Sequence, residues 1–140
     1  MNRRGSERGV TLVELSITIA VLILLATAFT ISARPYFAYR DGRAAGEALR
    51  SVKAAMQLYL ADNPSTSVAA LTPALLAPYL PPQSTQNAQQ NPNSPLPALP
   101  LVNGTMPTIQ VTSFPPIATL NNNPYDPSPT KSDGLWDVGQ

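Results

Sequence analysis

Histidine and cysteine are both absent from these 140 residues. That excludes a Ser-His or Cys-His catalytic pair, imidazole or thiolate ligation of zinc, and any disulfide. Charge is scarce too. Acidic and basic residues make up 12% of the chain, and none occurs in the 63 positions from Asn63 to Tyr125. The formal net charge is +1 and there is no basic patch, so direct nucleic-acid binding is not expected. No paired carboxylates sit in a foldable segment either, and the chain is not expected to be an enzyme.

What the sequence does contain is one long apolar run. From Leu15 to Ala33 there is neither charge nor proline, enough to cross a hydrocarbon core of ~30 Å as a helix. Arg3, Arg4 and Arg8 precede it. The positive-inside rule then keeps the N-terminus cytoplasmic and exports the remainder. Ala26-Thr27-Ala28 looks like a small-residue signal-peptide site, but the apolar stretch continues through Phe29, Thr30 and Ile31, so the helix is expected to stay attached. After it, Arg34-Pro35-Tyr36-Phe37-Ala38-Tyr39-Arg40 has the aromatic rings and flanking arginines of a membrane interface. Pro35 is expected to bend the helix rather than end it.

One carboxylate, Glu14, lies at the start of the apolar run. An ionisable group in such a segment is costly and functional by default, and it needs a partner. The stretch Gly9-Val10-Thr11-Leu12-Val13-Glu14, with a basic leader before it and an apolar helix after it, resembles the processing site of type IV pilins and type II secretion pseudopilins. The resemblance implies that a membrane peptidase cuts between Gly9 and Val10 and methylates the new N-terminus on Val10, where the family most often has phenylalanine. It also implies that Glu14, the fifth residue of the mature chain, guides assembly into a filament. Cleavage there removes Arg3, Arg4, Arg8 and Glu7 and leaves six basic and seven acidic side chains. The new α-amine could meet Glu14 within one helix or, in a staggered filament, the Glu14 of a neighbour.

The fold expected on these grounds is α+β and pilin-like: a long N-terminal transmembrane helix continuing into an amphipathic helix, packed on a small head with a short helix and a small antiparallel sheet. Its parts are a basic leader at 1–9, an assembly helix at 10–35, an amphipathic half at 36–63, and a proline-rich head at 64–140 with an exposed loop at 81–107. Expected partners are copies of itself or other pilins in a helical filament, the prepilin peptidase, an inner-membrane assembly platform and lipid. The expected location is a bacterial inner membrane, single-pass, and then the pilus or pseudopilus. The alternative is a membrane-anchored, periplasmic binding module that never polymerises.

From Asp41 to Asp62, Ala45, Ala48, Val52, Ala55, Met56 and Tyr59 recur at spacings of three and four, predicting an apolar stripe on an amphipathic helix. Glu47 and Arg50 are spaced for a weak pair, Gly42 is a soft point, and Asn63-Pro64 ends the helix. Thr72-Pro73 predicts a capped second helix ending near Leu80, with Leu71, Leu75, Leu76 and Tyr79 closing over the stripe. The amide- and proline-rich segment from Pro81 to Pro100 is expected to bury nothing. Strands are predicted at Thr108–Thr112, Ile117–Leu120 and Leu135–Val138, the last with Trp136 as the main core anchor. Asp126, Asp133 and Asp137, with Asn123 and backbone carbonyls, are the one candidate metal site, for calcium. No EF-hand spacing is present, and turn-forming aspartates explain the same residues. Ser132–Gly139 is also loosely similar to the endings of major pseudopilins, which bind calcium in a C-terminal loop.

Overall fold

A single helix, α1, runs from Leu12 to Asp62 in the computed structural model, with Pro35 inside it and no interruption. The structure describes residues 11–82, 94–128, 130 and 132–138; Gly9 and Val10 lie outside them. The chain divides into two compact units at Phe37/Ala38, and α1 contributes to both. In the first unit every residue from Leu12 to Phe37 except Ala33 is exposed.

The second unit is built on the other part of α1. Ala45, Leu49, Val52 and Met56 are fully buried, a three-and-four spacing that lays one stripe along the helix. The helix stops as the sequence predicts. Asn63 donates to the Tyr59 carbonyl from both its backbone N–H (2.9 Å) and its side chain (3.0 Å), and Pro64 forbids another turn. Arg43 pairs with Glu47 at 3.2 Å in i,i+4 register. That replaces the expected Glu47–Arg50 pair, because Arg50 reaches instead to the Gly134 carbonyl at 3.4 Å.

A 3-10 turn at Val68–Ala70 leads to the short helix α2 (Pro73–Leu76), which runs on as a 3-10 turn at Ala77–Tyr79. Thr72 occupies the N-cap position, but its hydroxyl makes no capping bond. Leu71 and Leu76 are buried over α1, while Leu75 faces out at 38% exposure. Tyr79 stacks edge-on against Tyr59 (centroids 5.8 Å apart) and donates to Asp62 at 2.8 Å. That bond favours the neutral phenol and raises the Tyr79 pKa above its ordinary value. A raised pKa means a contribution present below the ordinary phenol value near 10 and lost as pH climbs through the raised one. The unfolding midpoint of the head, followed from pH 8 to 11.5, is expected to fall less steeply at the alkaline end in Tyr79→Phe than in the parent chain.

The segment from Ser94 corrects the expectation of a wholly exposed loop. Leu96 and Leu99 are buried in the core, and Val102 is partly buried against it. The prolines at 95, 97 and 100 favour extended polyproline geometry, whose three-residue turn puts leucines three apart on one face. Residues 83–93 lie outside the described part. Val102 and Thr105 then exchange backbone hydrogen bonds of 2.8 and 2.9 Å around Asn103-Gly104. Both turn residues have positive φ, as a type I′ turn requires.

Three antiparallel strands follow in the order β1 (Thr108–Gln110), β2 (Ile117–Leu120) and β3 (Asn123–Pro124). Ile109 pairs with Ala118 on the buried face. The Thr108 and Thr119 hydroxyls meet at 2.9 Å, which satisfies the buried Thr119. Asn121 and Asn122, both at positive φ, make the two-residue turn between Leu120 and Asn123. Pro124 is tolerated because β3 is an edge strand.

The third strand expected at Leu135–Val138 is not formed. Gly134 has φ +77° and Trp136 φ +61°, left-handed values incompatible with an extended strand. The segment instead curls onto α1. The Trp136 N–H donates to the Gly42 carbonyl at 3.2 Å, and the indole is buried with its ring edge-on to Tyr125 at 5.0 Å. Gly42 is therefore a seat rather than a soft point: a Cβ there would meet Leu135 Cβ at 3.1 Å and Trp136 Cδ1 at 3.2 Å. At Gly46 an added Cβ would land on the Gly134 carbonyl oxygen. Alanine gains ~1 kcal/mol of helix propensity over glycine, but a collision with backbone cannot be relieved by turning a side chain. Gly46→Ala is expected to cost the head about 1–3 kcal/mol net, read as a lower urea midpoint by Trp136 fluorescence.

Candidate functional site

Three regions carry the predicted functional residues: the helix start at Glu14, the apolar helix behind it, and the C-terminal aspartates. Gly9 and Val10, the predicted cleavage and methylation positions, lie outside the described residues.

Glu14 is held by its own chain. One carboxylate oxygen accepts from the Thr11 N–H at 2.9 Å and from the Thr11 hydroxyl at 3.1 Å, while the Glu14 N–H donates back to that hydroxyl at 3.2 Å. Helix α1 begins at Leu12, so Thr11 is the N-cap and Glu14 the third helical residue, a reciprocal capping box. Two N–H groups that the helix cannot satisfy internally thereby gain partners, and the carboxylate sits at the positive end of the helix dipole. The Thr-x-x-Glu signature is plain in the sequence, although the charge alone drew attention to Glu14. The geometry fixes the carboxylate at the tip of the helix.

Behind it, the segment from Leu12 to Ala33 rises about 33 Å at ~1.5 Å per residue, and its most apolar window has a mean hydropathy of 2.4. Leu12 is 84% exposed and Phe29 75%. Four hydroxyls within it are satisfied by the helix's own backbone. Ser16 donates to the Val13 carbonyl (2.8 Å), Thr18 to Leu15 (2.8 Å), Thr27 to Ile23 (2.6 Å) and Thr30 to Thr27 (2.9 Å). A hydroxyl satisfied by its own backbone removes most of the penalty for entering hydrocarbon. The helix is long and apolar enough to cross a membrane. An apolar surface this large does not stay open to water.

The aspartates are not gathered into a metal cage: among the described residues no group of three or more His, Cys, Asp or Glu is placed to hold an ion. Asp126 accepts from the Ser128 N–H and Asp133 from the Leu135 N–H, both at 2.9 Å, so each closes an Asx turn. Asp126 and Asp137, but not Asp133, border the same cavity.

No protein-family model, curated protein or solved structure matches the chain. What distinguishes it is its own chemistry. That chemistry is a capped carboxylate, an exposed apolar helix, and a small head clasped onto the following turns of α1.

Proposed function

We propose that the chain is a structural subunit of a type IV pilus or type II secretion pseudopilus, anchored by α1 and assembled through it. The observation that carries the reading is the exposed apolar helix with a single carboxylate at its tip, directly following Gly9-Val10. An anchor alone needs the apolar helix and gains only the capping of its first turn from the carboxylate. A filament subunit uses both: helices leave lipid to pack against one another, and the carboxylate pairs with the amine that cleavage after Gly9 exposes on a neighbour. The head then lies outside the membrane, and the leader arginines set that direction. Prepilin peptidase and an inner-membrane assembly platform are the partners this life cycle requires, and the role is structural rather than enzymatic.

Intact mass and N-terminal sequencing of the protein extracted from bacterial membranes test the processing step. A chain beginning at Val10 and carrying one added methyl group is the expected result. A chain still carrying Arg3, Arg4 and Arg8 overturns it.

A further inference from the structure

The turn at Asn103-Gly104 is closed by a single bridge, the Val102–Thr105 pair, which stands outside the three-stranded sheet. Its two backbone bonds engage the N–H groups of Val102 and Thr105 and leave the Gly104 N–H out of the pairing. Asn103, Gly104 and Thr105 are all exposed, and a Cβ built on Gly104 would meet nothing within 4 Å. These are the conditions for an attack of the chain on itself. A short amide side chain reaches its own neighbouring backbone. Glycine after it offers no side chain to block the approach and has the widest φ/ψ freedom. In the closed turn both residues sit at positive φ, so the attack proceeds from the opened form, and one exposed bridge opens at small cost.

We infer that Asn103 is a modification site, converted without an enzyme to a mixture of aspartate and isoaspartate. The Gly104 nitrogen forms a bond to the side-chain carbonyl carbon of Asn103. The bond from that carbon to Nδ2 breaks, and ammonia leaves with the proton of the Gly104 N–H. Water then opens the resulting cyclic imide at either of its carbonyls; nothing is oxidised or reduced. One opening gives aspartate. The other routes the backbone through the former side chain and lengthens it by a methylene, which the bridge cannot absorb, because its register is set by the turn. Either product places a carboxylate in the stretch from Asn63 to Tyr125, which carries no charged residue. It also does so at a cleft of about 230 Å³ that Asp41 already borders, where two negative charges oppose each other. The site is a one-way ageing device on the head, and it acts whether or not the chain assembles.

The chain carries its own control. Asn121 also begins a two-residue turn at positive φ, +52° against +49° at Asn103, and is exposed as well, but Asn122 follows it rather than glycine. The full chain in maltoside micelles is incubated in neutral and in mildly alkaline buffer, and its chymotryptic peptides are mapped by mass spectrometry. The mass gain of an amide-to-acid exchange is expected at Asn103 well ahead of Asn121, with isoaspartate among the products. It should be faster in the alkaline buffer, because the attacking nitrogen must lose its proton. Gly104→Ala adds a side chain where there is space for one, and it is expected to slow the conversion about tenfold. No gain at Asn103, an equal gain at Asn121, aspartate without isoaspartate, or an unchanged rate in Gly104→Ala would each overturn the assignment. The first three readings need no variant, so they decide the matter even if Gly104→Ala does not fold.

Discussion

Trp136→Ala is expected to lower the stability of the head by about 3–5 kcal/mol, the range for removing a large aromatic side chain from a packed core. The indole is 6% exposed and belongs to the core cluster of Leu49, Val52 and Met56. It also meets the Tyr125 ring edge-on and roofs the seat at Gly42. A domain of this size is stable by only ~5–15 kcal/mol in all, so the loss takes a large share of the total. Part of it is returned, because alanine is easier than tryptophan to hold at positive φ; Trp136→Gly should therefore unfold at slightly higher urea than Trp136→Ala. Near-UV circular dichroism of the tyrosines, in micelles and against urea, measures both. If Trp136→Ala unfolds at the parent midpoint, the C-terminal segment is an appendage and the core closes without it.

The expectation of a strand at Leu135–Val138 fails for the same physical reason that makes Trp136 matter. The Asp133-Gly134 turn followed by Leu135-Trp136-Asp137-Val138 is the signal for that strand, but Gly134 and Trp136 adopt left-handed φ values that no local pattern reveals. What selects that geometry is a long-range fit to Gly42 and Gly46, almost a hundred positions away in sequence and visible only as two glycines four apart. The third strand that does form, Asn123–Pro124, is too short to alternate, although the Asn121-Asn122 pair before it is a turn signal that could have placed it. Leu49 and the leucines at 96 and 99 were passed over as core. Leu49 continues the three-and-four stripe of Ala45 and Val52, and Leu96 and Leu99 are masked by surrounding prolines although they stand three apart, the period of a polyproline turn. Features set by local chemistry were legible: the end of α1 at Asn63-Pro64, the start of α2 at Pro73, and the β1–β2 pairing on either side of Pro115-Pro116. At the N-terminus the apolar run and its carboxylate are legible as well, whereas the charge of Glu14 overshadows the capping role it shares with Thr11.

The cap between Thr11 and Glu14 makes the test of Glu14 sharper than deletion alone. Glu14→Ala is expected to abolish filaments while the protein still reaches the membrane, since the apolar helix that inserts it is untouched. Loss in that variant has two readings, however. Alanine removes the charge a neighbouring amine would meet, and it also removes the acceptor for the Thr11 N–H, which frays the first turn of the helix that must pack. Glutamine separates them. Its side-chain oxygen serves at the third helical position of a capping box as glutamate's does, but it carries no charge. If Glu14 acts in assembly through charge, Glu14→Gln fails like Glu14→Ala, with filaments in the sheared or extracellular fraction reduced to background and membrane levels of the subunit unchanged. If Glu14→Gln assembles normally and only Glu14→Ala fails, the carboxylate works by holding the helix start, and the pairing between subunits is wrong. Thr11→Val completes the comparison by removing the hydroxyl while keeping the Thr11 N–H and the charge. Assembly should survive it under the charge reading and weaken under the capping one.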